Sequence, residues 1–217
     1  MTSRLEDLAA QALKNGWASG SGSLASLRLN AGAMGWNEVT FRRTDPPVTS
    51  LRPLDTAAAK PNSLSSRYGM GVQPLHTDGA HLPEPPDFVL LMMEETSQVP
   101  TLLWKAKIID YQRLSYLDLQ HGVFLVNNGG ESFFRTAASG LDLCYDPGCM
   151  DPCDERSRRA AAFFADAAKS AVEHHWDEPG KVLLINNRRV LHARAAAESE
   201  PDREITRIAF SVGEGSE

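Results

Sequence analysis

The chain has 217 residues, 42% of them hydrophobic and 23% charged, with a formal net charge of -6. This is ordinary globular composition, long enough for one domain with a sizeable core. It argues against nucleic acid as a partner, because the basic pairs Arg42-Arg43 and Arg188-Arg189 sit among apolar residues and form no stripe. No apolar run approaches the roughly 20 residues a membrane helix needs. Glu6 and Asp7 interrupt what would be a signal-peptide core, and three cysteines, an odd number, fit a reducing compartment. The expectation is a cytoplasmic protein with no membrane partner.

In chain order, residues 3–14 read as a helix, with Ser3 and Glu6 as a capping box and Leu5, Leu8, Ala9, Ala12 and Leu13 on one face. NGWASGSGS breaks it. SLRLNAG and EVTFRR read as short strands, and the Pro- and Ser-rich stretch 44–66 as a long connection. Asp87 to Glu95 and TLLWKAKII are strands, the second leading into a helix over Asp110 to Gln120. GVFLVNN and ESFFRTA are strand-like about a turn at Gly129-Gly130. The clearest helix begins at DERSRR, capped by Asp151 or Asp154. Its apolar face comprises Ala160, Phe163, Phe164, Ala167, Ala168, Ala171 and Val172, and His174 and His175 end it, where the dipole favours a cation. EPGKVLLINNRRVLHAR gives turn, strand, polar turn and strand, and REITRIAFSVG closes the chain as an alternating strand. Many short strands with few helices predict a mainly β protein over 1–217, a jelly-roll or cupin-like barrel with flanking helices.

The stretch QPLHTDGAHLP raises a chemical question. On an extended segment residues two apart share a side, so His76 and Asp78 present an imidazole and a carboxylate to one point. A third ligand must come from elsewhere, and His192, at the end of the apolar strand Val190-Leu191, is the best candidate. Two histidines and one carboxylate with open positions make the facial triad of non-haem Fe(II) oxygenases. Zinc accepts the same ligand types. Taken singly, a His-x-Asp pair is more often a solvated loop, and a histidine on an apolar strand more often a hydrogen-bonded core residue; the combination carries the reading.

Arg203 and Arg207 follow, four residues apart. An arginine on the inner face of a small barrel is costly unless it meets an anion, and guanidinium matches a carboxylate with two parallel hydrogen bonds. The bland alternative pairs these arginines with surface acids such as Glu200 or Asp202.

PLHTDGAH, INNRRVLHAR and REITR, in this order, resemble the taurine dioxygenase-like group of Fe(II)/2-oxoglutarate-dependent oxygenases and their clavaminate-synthase-type relatives, from about Ser63 to Phe210. The resemblance implies a double-stranded β-helix core. It also implies that His76, Asp78 and His192 hold Fe(II), that Arg203 binds the distal carboxylate of 2-oxoglutarate, and that Arg207 serves the cosubstrate or an anionic substrate. Thr101 would hydrogen-bond the same carboxylate, although Val99 and Pro100 stand where the family has two glycines. The implied reaction consumes O2, releases succinate and CO2, and oxidises an unactivated C–H bond of a small molecule. That substrate would be an amino acid or an amino-acid-derived intermediate, free or carrier-tethered. The carboxylate at Asp78 disfavours halogenation. Cys144, Cys149 and Cys153 lack the two-residue gaps of zinc sites and lie where the family needs no cysteine. His81, Gln73 and Arg194 either line the substrate mouth or are solvated.

Two rival readings remain: a cupin-like divalent-metal hydrolase or isomerase needing no Arg203, and a non-catalytic ligand-binding jelly roll. The short span from His76 to His192 predicts an open site or a lid borrowed from another subunit.

Overall fold

A computed structural model of the protein describes residues 3–61, 63–107 and 114–213. Its strands form two principal sheets that face one another. The larger has the order β1-β12-β4-β14-β2, with β3 also paired to β14, and the smaller has the order β11-β5-β13. In the larger sheet β1 is Trp17–Ser21, β2 Trp36–Val39, β3 Val48–Leu51, β4 Phe88–Met93, β12 Lys181–Asn186 and β14 Ile205–Val212. In the smaller, β5 is Ser97–Lys105, β11 Val172–Trp176 and β13 Val190–Arg194. The consecutive strands β4 and β5 lie in different sheets, as do β11 and β12, and β12 and β13. Chain alternation between sheets is the double-stranded β-helix expected, as two open sheets rather than a closed barrel.

Period-two alternation divides the core into layers. Along β4, Phe88, Leu90 and Met92 pack outward with Leu5, Leu8 and Ala12 of α1 (Leu5–Asn15) and Leu27 and Ala31 of α2 (Leu24–Ala33). Val89, Leu91 and Met93 turn inward and meet Leu103, Trp176, Val190, Ile205 and Ala209 between the sheets. The outer side of the smaller sheet, Trp104, Leu191 and Ala193, is covered by Tyr116 and Leu119 of α4 (Leu114–His121) and by Ala160 and Phe164 of α5 (Glu155–Ala167). A short helix α3, Leu64–Tyr68, precedes the His76 segment. A third sheet, β10-β6-β7, comprises β6 (Phe124–Asn127), β7 (Ser132–Arg135) and β10 (Met150–Pro152). A small hairpin pairs β8 (Ala138–Ser139) with β9 (Asp142–Leu143).

Several expectations need correction. Ser3 forms no capping box: the N-cap is Arg4, and Ser3 is tied to the end of β1, its N–H donating to Ser21 O and its Oγ accepting from Ser21 N–H. Leu13 stays 64% exposed, because Leu5, Leu8, Ala9 and Ala12 already fill the buried stripe. SLRLNAG is not a strand but part of α2, capped by the Ser23 hydroxyl accepting from Ser26 N–H; Leu27 and Ala31, one turn apart, are its buried pair. NGWASGSGS ends α1 at Gly16, whose φ of 103° few other residues adopt, and then becomes edge strand β1. The 44–66 connection carries β3 and the start of α3. The long helix stops at Ala167, followed by a 3-10 turn at Ala168–Ser170. His174 and His175 therefore lie on β11, paired with β5, and are not at a helix end. Asp154 caps α5 through a reciprocal pair with Ser157. The helix expected from Asp110 is present as α4; residues 108–113 lie outside the described ones.

Candidate active site

The sheets place the expected ligands together. His76 and His192 form an antiparallel bridge, His76 N–H donating to His192 O at 2.9 Å and His192 N–H to His76 O at 3.0 Å. The two rings lie 4.6 Å apart between centroids, and the ligand atoms of His76, Asp78 and His192 all fall within 4.8 Å of one another. Asp78 stands 3.8 Å from His76 Nε2 through Oδ1 and 3.7 Å from His192 Nε2 through Oδ2. No other such group occurs among the described residues.

The donor set fits a divalent metal. His76 Nδ1 lies 3.0 Å from Pro74 O, and a carbonyl only accepts, so Nδ1 holds the proton and Nε2 keeps its lone pair for the cluster. Asp78 Oδ2 is buried without a hydrogen-bond donor, which is costly for a carboxylate unless a cation faces it. Burial pushes the Asp78 carboxyl up, but Arg207, His192 and His76 outweigh it and hold the group below the usual carboxylate range. Burial, with the charge of His76, pushes His192 down to about 3, leaving a neutral imidazole. An ionised carboxylate and a neutral imidazole are the forms that ligate.

Asn187 locks this cluster in place. It is completely buried; its Oδ1 accepts from Asp78 N–H at 3.0 Å, and its Nδ2 donates to Asp78 O and Pro86 O, both at 2.9 Å. The turn joining β12 to β13 thus carries the clamp for the opposite ligand segment. The sequence showed Asn187 only as a turn residue; its position five residues before His192 is the one hint it offered.

The inner face of the smaller sheet continues the site. His192 and Arg194 are two apart on β13, and the register sets Arg194 beside Thr101 and His192 beside Leu103. Trp176 on β11 donates its Nε1–H to Thr101 Oγ1 at 3.1 Å, so the threonine's own proton is left to donate elsewhere. Arg203 lies before β14 rather than on it, buried, with Nε donating to Ser97 Oγ at 3.1 Å and Nη2 to Val99 O at 3.1 Å. Glu200 does not pair with it; that carboxylate accepts from Ser97 Oγ and Gln98 N–H. Burial first and the charge of Arg194 second lower Arg203 to about 10. Arg207 does lie on β14, its guanidinium 3.9 Å over the Phe41 ring and its Nη1 donating to Asp78 Oδ1 at 2.9 Å.

One cavity of about 340 Å³ joins these groups, with His76, Asp78, His192, Thr101, Arg194, Arg203 and Arg207 all on its wall. Its remaining wall includes Phe41 and Arg42, much of 49–54 and Ser63 to Ser65, so the 44–66 connection contributes side chains to the site. His81 and Gln73 also line it; His81 donates through Nε2 to Phe41 O at 2.7 Å. The cysteines are dispersed, Cys144 half-buried against Arg135, Cys149 buried and Cys153 exposed.

Fold and ligand geometry define a class: a double-stranded β-helix protein with a two-histidine, one-carboxylate centre. Residues 109–209 match the model of the taurine catabolism dioxygenase TauD, TfdA family, which bears out the resemblance for the stretch that carries INNRRVLHAR and REITR. No curated protein matches the chain. Among solved structures, an asparagine oxygenase in complex with Fe(II), a hydroxyasparagine and succinate aligns with TM-score 0.72 at 16% identity, over 96% of this chain and 78% of that one. OrfP, a non-haem iron oxygenase in complex with Fe, succinate and a dihydroxy-L-Arg, aligns with TM-score 0.71 at 15% identity, over 96% and 79%. PvcB of Pseudomonas aeruginosa gives 0.65 at 15% identity over 94% and 79%.

Proposed function

We propose that the protein is an Fe(II)/2-oxoglutarate-dependent dioxygenase that hydroxylates an unactivated C–H bond of an amino acid or a small amino-acid-derived molecule, releasing succinate and CO2. The observation that carries the reading is one cavity with a metal-ligand cluster on one wall and an arginine–threonine anion site beside it. A zinc hydrolase or a cupin-like isomerase would leave the buried Arg203 without a task.

His76, Asp78 and His192 would hold the metal, and Arg203 with the free proton of Thr101 would receive the distal carboxylate of 2-oxoglutarate. Bound Fe(II) and 2-oxoglutarate supply the O2-dependent oxidation. The protein's part is placement. Arg207 keeps Asp78 ionised and fixes its orientation, and Asn187 fixes its backbone. The cavity is near the lower end of the about 300–1,000 Å³ of small-molecule sites, and it must hold cosubstrate and substrate together. That favours a small substrate. Asp146 and Arg42 on its wall, apart from the Asp45–Lys60 ion pair, suit a molecule carrying charges of both signs, as amino acids do. The asparagine- and arginine-derived products bound to two structural neighbours point the same way.

The test is the visible spectrum of the protein mixed with Fe(II) and 2-oxoglutarate under strict anaerobiosis. A weak metal-to-ligand charge-transfer band is expected in wild type, absent in His76→Ala and needing far more 2-oxoglutarate in Arg203→Ala. Iron binding without a band in wild type would overturn the reading.

A further inference from the structure

Arg194 stands on the inner face of β13, two residues after His192 and paired in register with Thr101. Its Nη2 donates to Gly69 O at 2.6 Å and Gly71 O at 2.9 Å, which bind one nitrogen of the fork to neutral carbonyls. Its Nε is buried with no acceptor. Arg203 reaches the same cavity and is held only by a hydroxyl and a carbonyl. Neither guanidinium has a carboxylate within salt-bridge distance among the described residues. Their charges are close enough to oppose each other. Glu198 and Glu200 act on these two cations only through space and neither carboxylate touches them, so an anion bound beside both, within reach of the Thr101 hydroxyl, would relieve the cost of their burial.

We propose that Arg194 is a second guanidinium of the cosubstrate site, so that the distal carboxylate of the keto acid is held by Arg194 and Arg203 together with Thr101. This rests on the 2-oxoglutarate reading above. It assigns to β13 two tasks on one face, the metal through His192 and the cosubstrate through Arg194. It also makes the site selective for dicarboxylates, because a monocarboxylic keto acid could reach the metal yet would leave Arg194 and Arg203 without their anion. The carbonyls of Gly69 and Gly71 become a positioning device: they hold Nη2 and leave Nη1 for the ligand.

The alternative is that Arg194 merely pins the 69–71 turn. Calorimetry on the Co(II)-loaded protein separates the two, with 2-oxoglutarate and the monocarboxylate 2-oxobutyrate as probes. Succinate on the metal-free protein, read by thermal shift, provides a measurement independent of metal chelation. Loss of one charge-assisted partner should weaken 2-oxoglutarate at least about tenfold in Arg194→Gln. Arg194→Lys, which keeps the charge but cannot span both carbonyls, should recover most of that loss. Affinity for Co(II) and for 2-oxobutyrate should stay at the wild-type value in both. Equal weakening in Gln and Lys variants, in step with a lowered melting temperature, would assign Arg194 to the turn alone, as would unchanged 2-oxoglutarate affinity in Arg194→Gln. Wild type that binds neither 2-oxoglutarate nor succinate overturns this proposal and the functional reading together. Wild type that binds both, with Arg194→Gln unaffected, overturns this proposal only.

Discussion

Replacing Asn187 by alanine removes the side chain that satisfies three buried backbone groups: Asp78 N–H, Asp78 C=O and Pro86 C=O. Each group left unpaired away from water costs about 1–3 kcal/mol. The vacated volume is small and polar enough for a water to restore part of the loss, so the low end applies and the whole substitution should cost about 3–5 kcal/mol. That is a large share of the roughly 5–15 kcal/mol that stabilises a typical domain. The structure places the damage at one metal ligand, so Asn187→Ala should also weaken Co(II) binding more than its stability loss at a distant site would. Urea denaturation of the metal-free protein gives the first quantity, and Co(II) titration at low temperature, where the variant remains folded, gives the second. Asn187→Asp keeps the acceptor for Asp78 N–H but turns a buried carboxylate oxygen against two carbonyls, and should cost at least as much as alanine. A stability change under about 1 kcal/mol in Asn187→Ala would refute the reasoning, because unsatisfied buried groups cannot be that cheap.

Three further outcomes follow from particular contacts. Arg207→Met should weaken Co(II) affinity about tenfold, since Asp78 Oδ1 loses its charged partner; metal titration without cosubstrate reads this apart from any effect on 2-oxoglutarate. His174 is buried on β11 with Nε2 unpartnered, and burial, with a smaller contribution from Lys181, pushes it down to about 4. The unfolded chain takes up its proton first, so wild type should lose stability as the pH falls from about 6.5 towards 4, and His174→Phe should flatten that slope in denaturation series. Asp154→Ala, which removes the reciprocal cap of α5 and the acceptor for Val123 N–H, should cost about 1–2 kcal/mol by denaturation with no change in metal binding.

What could be read from the sequence, and what could not, has a physical pattern. His76 and Asp78 were legible because an extended segment has one period, and the turn between β12 and β13 delivered His192 to the facing position. Residues 24–33 misled because Leu27 and Leu29 mimic a strand's alternation; in the helix Leu27 is buried and Leu29 is 76% exposed. His174 and His175 misled because the alanine-rich helix pattern runs on past the point where pairing with β5 takes over. Trp176 and Phe41 gave no signal of their own, and Asn187 only its place in the turn before His192. Their roles come from residues far along the chain: Asn187 from Asp78, Trp176 from Thr101, Phe41 from Arg207.

The bridge between His76 and His192 has a consequence for how the site tolerates change. The two imidazoles are joined through their own backbones by a pair of hydrogen bonds, so their spacing is a property of strand register and not of any intervening loop. Segments between them can be shortened or lengthened without moving either ligand, provided the ladder of β13 against β5 survives. A slip of one residue in that ladder would turn His192 away from the cavity altogether. A change of register should therefore abolish metal binding outright, whereas loosening the contacts that hold Asp78, through Asn187 or Arg207, should weaken it by degrees.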